Sequence, residues 1–201
     1  LHLTRLERPN MIRFVVAALL AFTIALPFQG ASAVEKEKLL VEDLTKATVT
    51  VLAESNDSNR KDNLQPVFER YLDLPFIGRF VLGRKWKSLT DDEKRDYIAA
   101  FEDYIVSIYA NRLAAYSGEQ IEVQSAQSIS KRDTLVNTSL LRSGKAPVAI
   151  DWRVRRKKDK VIDVVVEGIS LAVSQREEFS TYLQSNNIAK LIDRLKEQSN
   201  R

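Results

Sequence analysis

Apolar residues recur at steps of three and four in the first half of the chain, with charged residues between them. This is the pattern of amphipathic helices. It predicts a first helix near the N-terminus, a second over Leu64 to Tyr71 and a third over Leu74 to Leu82. Asp73 and Pro75 are residue types that begin a helix, and Gly83 is the type that ends one.

The longest predicted helix begins at Thr90 to Glu93, which has the form of a capping box, and runs to about Ala115. From Gln120 the period of apolar residues changes to two, as in half-buried strands. The alternating segments are Ile121 to Val123, Leu135 to Leu141, Val148 to Val154 and Val161 to Val166. Short turns join them, which predicts an antiparallel meander. Two further amphipathic helices follow, so the sequence predicts an α+β domain with helices against one face of the sheet.

The N-terminal residues have the pattern of a secretory signal peptide. Met11 is followed by Arg13, an apolar run from Phe14 to Leu26, and the small residues Ala31-Ser32-Ala33. That run is shorter than the roughly 20 residues that span a bilayer. We therefore expect residues 1–33 to be upstream sequence and a cleaved leader, with the start at Met11, and residues 34–201 to form a single exported domain.

The predicted mature chain has no histidine, cysteine or methionine, because His2 and Met11 precede the cut. This excludes Ser-His-Asp and Cys-His catalysis, and metal sites built on histidine or cysteine. No P-loop, glycine-rich nucleotide turn or calcium loop is present either. Carboxylate-pair chemistry, a Ser-Lys dyad and carboxylate binding of a hard cation remain open, but none has a local signature in the sequence. Composition therefore favours a binding protein without catalytic residues, cofactor or metal over an enzyme.

The net charge of the mature chain is small, with 28 Lys and Arg against 26 Asp and Glu. The most basic segment is the turn Arg155 to Lys160, which we interpret as a solvated hairpin tip. Docking to acidic partner proteins or to anionic lipids is the alternative. No basic motif interleaved with aromatic residues is present, so we expect no nucleic-acid binding.

Four segments resemble the MlaC family of Gram-negative periplasmic lipid carriers, also called the toluene-tolerance auxiliary-component family. They are DLPFIGRFVLGRKW at 73–86, IYANRLAAYSGE at 108–119, IDWRVRRK at 150–157 and VIDVVVEGISLAVSQREEF at 161–179. They occur in the order and spacing of that family. The resemblance implies an NTF2- or cystatin-like antiparallel sheet whose N- and C-terminal helices enclose an apolar lipid cavity.

The resemblance also implies a function. Such proteins are soluble periplasmic carriers that shuttle phospholipid between an outer-membrane lipoprotein complex and an inner-membrane ABC transporter with an MCE-domain subunit. The pathway maintains the lipid asymmetry of the outer membrane. Carriers associated with hopanoid gene clusters look similar, so a hopanoid-related lipid is an alternative cargo. An NTF2-like enzyme and a binding protein for a polar solute are alternatives of other classes.

A lipid carrier must keep acyl chains out of water, because each exposed methylene costs roughly 0.8 kcal/mol. We therefore expect a cavity at or above the upper end of the usual range, roughly 1,000 Å³. We predict that it is lined by apolar residues of the sheet and of two helices, namely Ile77, Val81, Phe101, Ile105, Tyr109, Val123, Leu140, Ile150, Trp152, Val164 and Val166. The predicted headgroup or partner contacts are Arg79, Arg84 and Arg176.

Overall fold

The structure is a computed structural model that describes residues 29–200, with side chains from Val34 onward. The predicted start at Met11 and the apolar run Phe14 to Leu26 lie outside the described residues. Cleavage after Ala33 stays a prediction.

The described residues form helices, then strands, then helices, as expected. The α-helices are α1 Gln29–Glu54, α2 Arg60–Tyr71, α3 Leu74–Leu82, α4 Asp91–Arg112, α5 Leu171–Ser185 and α6 Ile188–Ser199. The strands are β1 Gln120–Ser128, β2 Asp133–Leu141, β3 Val148–Arg155, β4 Lys160–Val166 and β5 Ile169–Ser170. Short 3-10 helices at Gly83–Ser88 and Leu113–Ala115 follow α3 and α4.

The helix ends are set by the residues that the sequence singles out. The side chain of Asp73 accepts a hydrogen bond from the backbone N–H of Phe76 and caps α3. Gly83 ends α3 with a φ of 60°, a region that glycine enters without a side-chain clash. Thr90 and Glu93 form the predicted capping box at the start of α4, each side chain accepting from the other's backbone N–H.

The sheet is an antiparallel meander in the order β1-β2-β3-β4-β5, of which the two-residue β5 was not predicted. Directly paired residues share a face, and the register pairs Thr138 with Ile150 and Ile150 with Val166. Interruptions of the register at Val123/Ser125 and at Arg153/Val154 bend the strands. The helices pack on the face that carries Ile150.

The hydrophobic core is divided into three clusters. One lies between α1, α2 and the sheet and includes Leu44. A second, between α2, α3 and α4, includes Phe68. The third joins α3, α4, α5 and α6 and includes Phe101 and Phe179. Helix α4 contributes residues to the second and third clusters and so joins the two helical parts of the core.

Replacing Gly78 with alanine should destabilise the protein, although the same change in most helices is stabilising. A Cβ on Gly78 would lie 2.9 Å from Cδ1 of Phe101 and 3.0 Å from Cδ1 of Ile98. Because α3 and α4 approach this closely, we expect a loss of about 2 kcal/mol in the free energy of unfolding. Urea denaturation measures this free energy. A midpoint higher than that of wild type would contradict the prediction, because it would mean that α3 and α4 accommodate the added methyl group.

The basic turn between β3 and β4 differs from our interpretation of a solvated tip. Arg156 donates hydrogen bonds to the Thr134 hydroxyl and the Ser130 carbonyl. The ammonium group of Lys160 donates at 2.6 Å to the backbone carbonyls of Glu69 and Arg70, near the end of α2. These cations therefore join the turn to the rest of the fold, because helix-end and turn carbonyls lack partners of their own.

Asp133 is a buried anion beside this turn. Arg153 donates to its carboxylate at 2.7 and 3.0 Å, and Arg155 donates at 2.9 Å while its guanidinium stacks on the Phe76 ring. Burial by itself raises the pKa of Asp133, but the hydrogen bonds and charges of Arg155 and Arg153 outweigh burial and lower it. The ionised form is therefore favoured in the folded state.

We expect Asp133→Asn to be destabilising in a pH-dependent way. A lowered pKa means that the carboxylate stabilises the fold fully above its unfolded pKa, about 3.9, and less as the pH falls through the folded pKa. The variant should lose about 2 kcal/mol at pH 7, and the difference from wild type should shrink at pH 3 and below. Urea unfolding at both pH values is the measurement. An equal difference at the two pH values would mean that the charge of Asp133 is not what stabilises the turn.

Candidate functional site

A cavity lies where the three core clusters meet, between the curved face of the sheet and the helices. Each cluster contributes a wall residue, with Leu44 from α1, Phe68 from α2 and Phe101 from α4. Its volume is about 350 Å³, and the whole space between the lining side chains, including the open mouth, is about 1380 Å³. The cavity itself is therefore smaller than the roughly 1,000 Å³ expected, at the lower end of the range for ligand pockets. Four aromatic side chains on its wall, Phe68, Phe101, Tyr109 and Trp152, take up part of the interior.

The helical walls come from residues on single helix faces. In α4 the row Phe101, Ile105 and Tyr109 advances by four residues at each step and so stays on one face. In α3 the residues Ile77 and Val81 are related in the same way. The sequence predicts these five positions because a helical period fixes which side chains share a face.

The sheet contributes the opposite wall. Ile150, Trp152, Val164 and Val166 lie two residues apart on β3 and β4 and point to the same side. The indole N–H of Trp152 donates to the hydroxyl of Thr138, which in turn donates to the Ile150 carbonyl. With its one polar group satisfied inside the sheet, Trp152 offers only its ring to the cavity.

One end of the cavity is closed and the other is open. Val136, Val154 and Val161, at one end of the sheet, are completely buried. Leu140 and Val166, at the other end of their strands, line the cavity wall. The exposed Arg112, from the last turn of α4, also belongs to the lining and marks the open end.

Ten of the eleven predicted lining residues lie on the cavity, and Val123 does not. Helix α1 passes over β1, so Val123 packs against the core cluster beneath α1 instead. Lipid contact by the other ten stays a prediction. The complete lining is Leu44, Thr45, Thr48, Phe68, Leu72, Leu74, Ile77, Val81, Phe101, Ile105, Tyr109, Arg112, Leu113, Ile121, Leu140, Ile150, Trp152, Asp163, Val164, Val166, Leu171, Ala172 and Gln175.

The three arginines predicted as headgroup or partner contacts are not part of this lining. Arg79 and Arg84 are exposed on and after α3. The guanidinium of Arg176 stacks on the ring of Phe80 at 5.2 Å, beside a shallow surface depression. Headgroup or partner contact by these three residues stays a prediction.

Several lining residues were missed by sequence reasoning. Leu44, Phe68 and Leu74 belong to apolar helix stripes and Ile121 to the β1 alternation, so a signal for them existed. No sequence signal indicated Arg112, because an arginine in the last turn of a helix is usually interpreted as a solvated residue that stabilises the helix end.

Most polar groups of the lining are satisfied within the protein. Thr45 and Thr48 donate to carbonyls of their own helix, at 3.0 and 2.8 Å. The carboxylate of Asp163 accepts from the Ser170 hydroxyl at 2.6 Å and from the backbone N–H of Ala172 at 3.2 Å. Gln175 donates to Glu178 at 3.0 Å. What the wall presents is therefore mainly hydrocarbon.

Tyr109 is the last residue of the row on α4 and lies towards the open end of the cavity. Burial raises the pKa of its phenol, with the Arg112 cation acting in the opposite direction and the Asp163 anion in the same direction. The guanidinium of Arg112 lies 5.4 Å from the centre of the Tyr109 ring. The hydroxyl is therefore neutral and a hydrogen-bond donor at physiological pH.

Residues 29–200 contain no group of three or more His, Cys, Asp or Glu side chains placed to hold a metal ion. Within the same described range, no helix has both the length and the apolar character needed to cross a membrane.

Comparison with known proteins identifies the family. The intermembrane phospholipid transport system binding protein MlaC of Haemophilus influenzae is 25% identical over 133 residues, a match that covers 63% of this chain and 62% of that protein. The structure resembles that of a phospholipid-binding protein from Ralstonia solanacearum, solved in complex with a phospholipid. The TM-score is 0.71 at 18% identity, over 82% of this chain and 97% of that one. The MlaC protein family itself matches residues 42–197, which is most of the chain. The protein therefore belongs to the MlaC family.

Proposed function

We propose that this protein is a phospholipid carrier whose cavity encloses acyl chains. The observation that carries the proposal is the apolar, open-ended cavity between the sheet and α4. The Haemophilus influenzae relative is named as a phospholipid transport binding protein, and the Ralstonia solanacearum relative holds a phospholipid. Both similarities support a phospholipid as the cargo of this protein.

The energetics of the wall fit a hydrocarbon ligand. Burying a methylene group is worth roughly 0.8 kcal/mol, so even half of a two-chain lipid contributes more than most polar contacts do. A lining whose threonine hydroxyls, carboxylate and side-chain amide are already hydrogen-bonded has few groups that a polar solute would satisfy. A small polar substrate would have to compete with those internal bonds.

The size of the cavity sets a condition on loading. At about 350 Å³ it is at the lower end of the range for ligand pockets, and two acyl chains need more room. Its walls belong to several helices and to the sheet, so loading requires one of these elements to move outward. Helix α1, which supplies Leu44, Thr45 and Thr48, is the wall that we expect to move outward.

The cellular setting belongs to the same proposal. The carrier is exported and acts in the periplasm without catalysing covalent chemistry. It receives or delivers lipid at an outer-membrane lipoprotein complex and at an inner-membrane ABC transporter with an MCE-domain subunit, and so serves outer-membrane lipid asymmetry. The predicted signal sequence and the family membership support this setting.

A transfer assay tests the carrier function. Donor vesicles that contain a self-quenched fluorescent phospholipid are mixed with unlabelled acceptor vesicles, and the purified chain 34–201 is added. We expect fluorescence to rise at a rate proportional to protein concentration. If the rate stays at the spontaneous value while extraction shows no bound lipid, the carrier function is excluded.

A further inference from the structure

We infer that Arg112 is the headgroup site of the cavity, where its guanidinium binds the phosphate of a lipid whose chains lie along α4. The inference rests on the proposed carrier function and adds the residue that recognises the phosphate. The three arginines that the sequence suggested lie outside the cavity lining.

Arg112 is the single cation in the cavity lining formed by the described residues. No carboxylate of residues 29–200 forms an ion pair with it. Asp163, the single acidic residue of that lining, is already bonded to Ser170 and to the N-terminus of α5. The open end of the cavity thus has a positive charge without an anionic partner.

The position of Arg112 suits an amphiphile rather than a free ion. It follows Tyr109 by three residues and Ile105 by seven, so it continues the α4 face that lines the cavity. From Phe101 to Arg112 this row spans about 16 Å along the helix axis. A lipid with its chains beside Phe101 and Ile105 therefore has its headgroup near the guanidinium.

The chemistry of the guanidinium favours phosphate. Its planar N–H groups match two oxygens of a phosphate and form charge-assisted hydrogen bonds. The side chain is held from one side by the Tyr109 ring, 5.4 Å from Cζ, which limits the freedom lost when an anion binds. Carbonyl groups at the end of α4 also favour a cation at this position.

The test compares a phospholipid with a diacylglycerol of the same two chains, which lacks the phosphate. Delipidated wild-type protein is titrated with each lipid, together with Arg112→Gln, Arg112→Lys and the control Arg132→Gln. Arg132 is an exposed cation outside the cavity lining. Circular dichroism and thermal unfolding establish that each variant is folded.

We expect wild type and Arg132→Gln to bind the phospholipid about tenfold more tightly than the diacylglycerol. Arg112→Gln should bind the two lipids equally, and Arg112→Lys should keep part of the preference because it keeps the charge. An equal affinity of wild type for the two lipids, or a preference retained in Arg112→Gln, overturns the inference and leaves the carrier function standing. Binding of neither lipid by wild type rejects the carrier function itself.

Inorganic phosphate distinguishes a headgroup site from a site for the free anion. Added alone to delipidated wild type, it should bind far more weakly than the phospholipid, because it gains no burial of hydrocarbon. If phosphate binds as tightly as the lipid and this binding is lost in Arg112→Gln, the site is one for free phosphate and the headgroup assignment is wrong.

Discussion

Replacing Val164 and Val166 together with tryptophan is expected to abolish lipid loading while the protein stays folded. Both side chains lie on the cavity wall, two residues apart on β4. Two indole rings would fill much of a cavity of about 350 Å³. Since the added rings enter existing space, we expect less than the usual overpacking cost of about 1–3 kcal/mol. Lipid bound per protein, measured by extraction and native mass spectrometry, should fall by about tenfold or more.

Val165 provides a matched control on the same strand. It pairs with Asp151 on the opposite face of the sheet and is not part of the cavity wall. Val165→Trp adds the same ring and should leave lipid loading unchanged. Equal loading of the control and of the double variant would show that acyl chains do not occupy this cavity.

Phe101→Ala should produce the largest loss of stability among the changes considered. Its ring is completely buried, packs edge-on against Phe179 at 6.3 Å and lies 5.9 Å from the Tyr97 ring. Removing it combines lost burial with a void, at a cost of about 4 kcal/mol. For a domain of this length the thermal midpoint should fall by roughly 10 °C. Because Phe101 also lines the cavity, bound lipid should restore part of the loss.

Phe80→Ala is the matched control, since the Phe80 ring is 37% exposed and lies outside the cavity. We expect Phe80→Ala to lower the free energy of unfolding by less than half as much as Phe101→Ala does. Thermal unfolding of the delipidated and lipid-loaded forms measures both effects. If the two variants were equally destabilised, Phe101 would not be the centre of the helical core that its burial indicates.

The helix and strand pattern was predictable because local chemistry sets it. Pro75 and Gly83 bracket α3, and the Thr90–Glu93 capping box starts α4, each through backbone groups within a few residues. The sheet face was predictable for the same reason, since alternation alone places Ile150 with Trp152 and Val164 with Val166. These features do not depend on how distant elements meet.

What the sequence did not predict depends on packing between distant elements. Val123 alternates like its neighbours, and only the path of α1 over β1 removes it from the cavity wall. The sequence suggests that Lys160 is a free surface charge, whereas in the fold it donates hydrogen bonds to two backbone carbonyls of α2. The volume of the cavity was also overestimated, because it depends on the sheet curvature and on the aromatic rings that enter it.

The most direct test of the central claim is the native mass of the protein purified from the periplasm of a Gram-negative host. We predict a folded protein whose mass exceeds that of the polypeptide by one phospholipid per chain, and an organic extract that contains that lipid. A folded protein with the bare polypeptide mass and an extract free of lipid would contradict the claim that the cavity holds acyl chains.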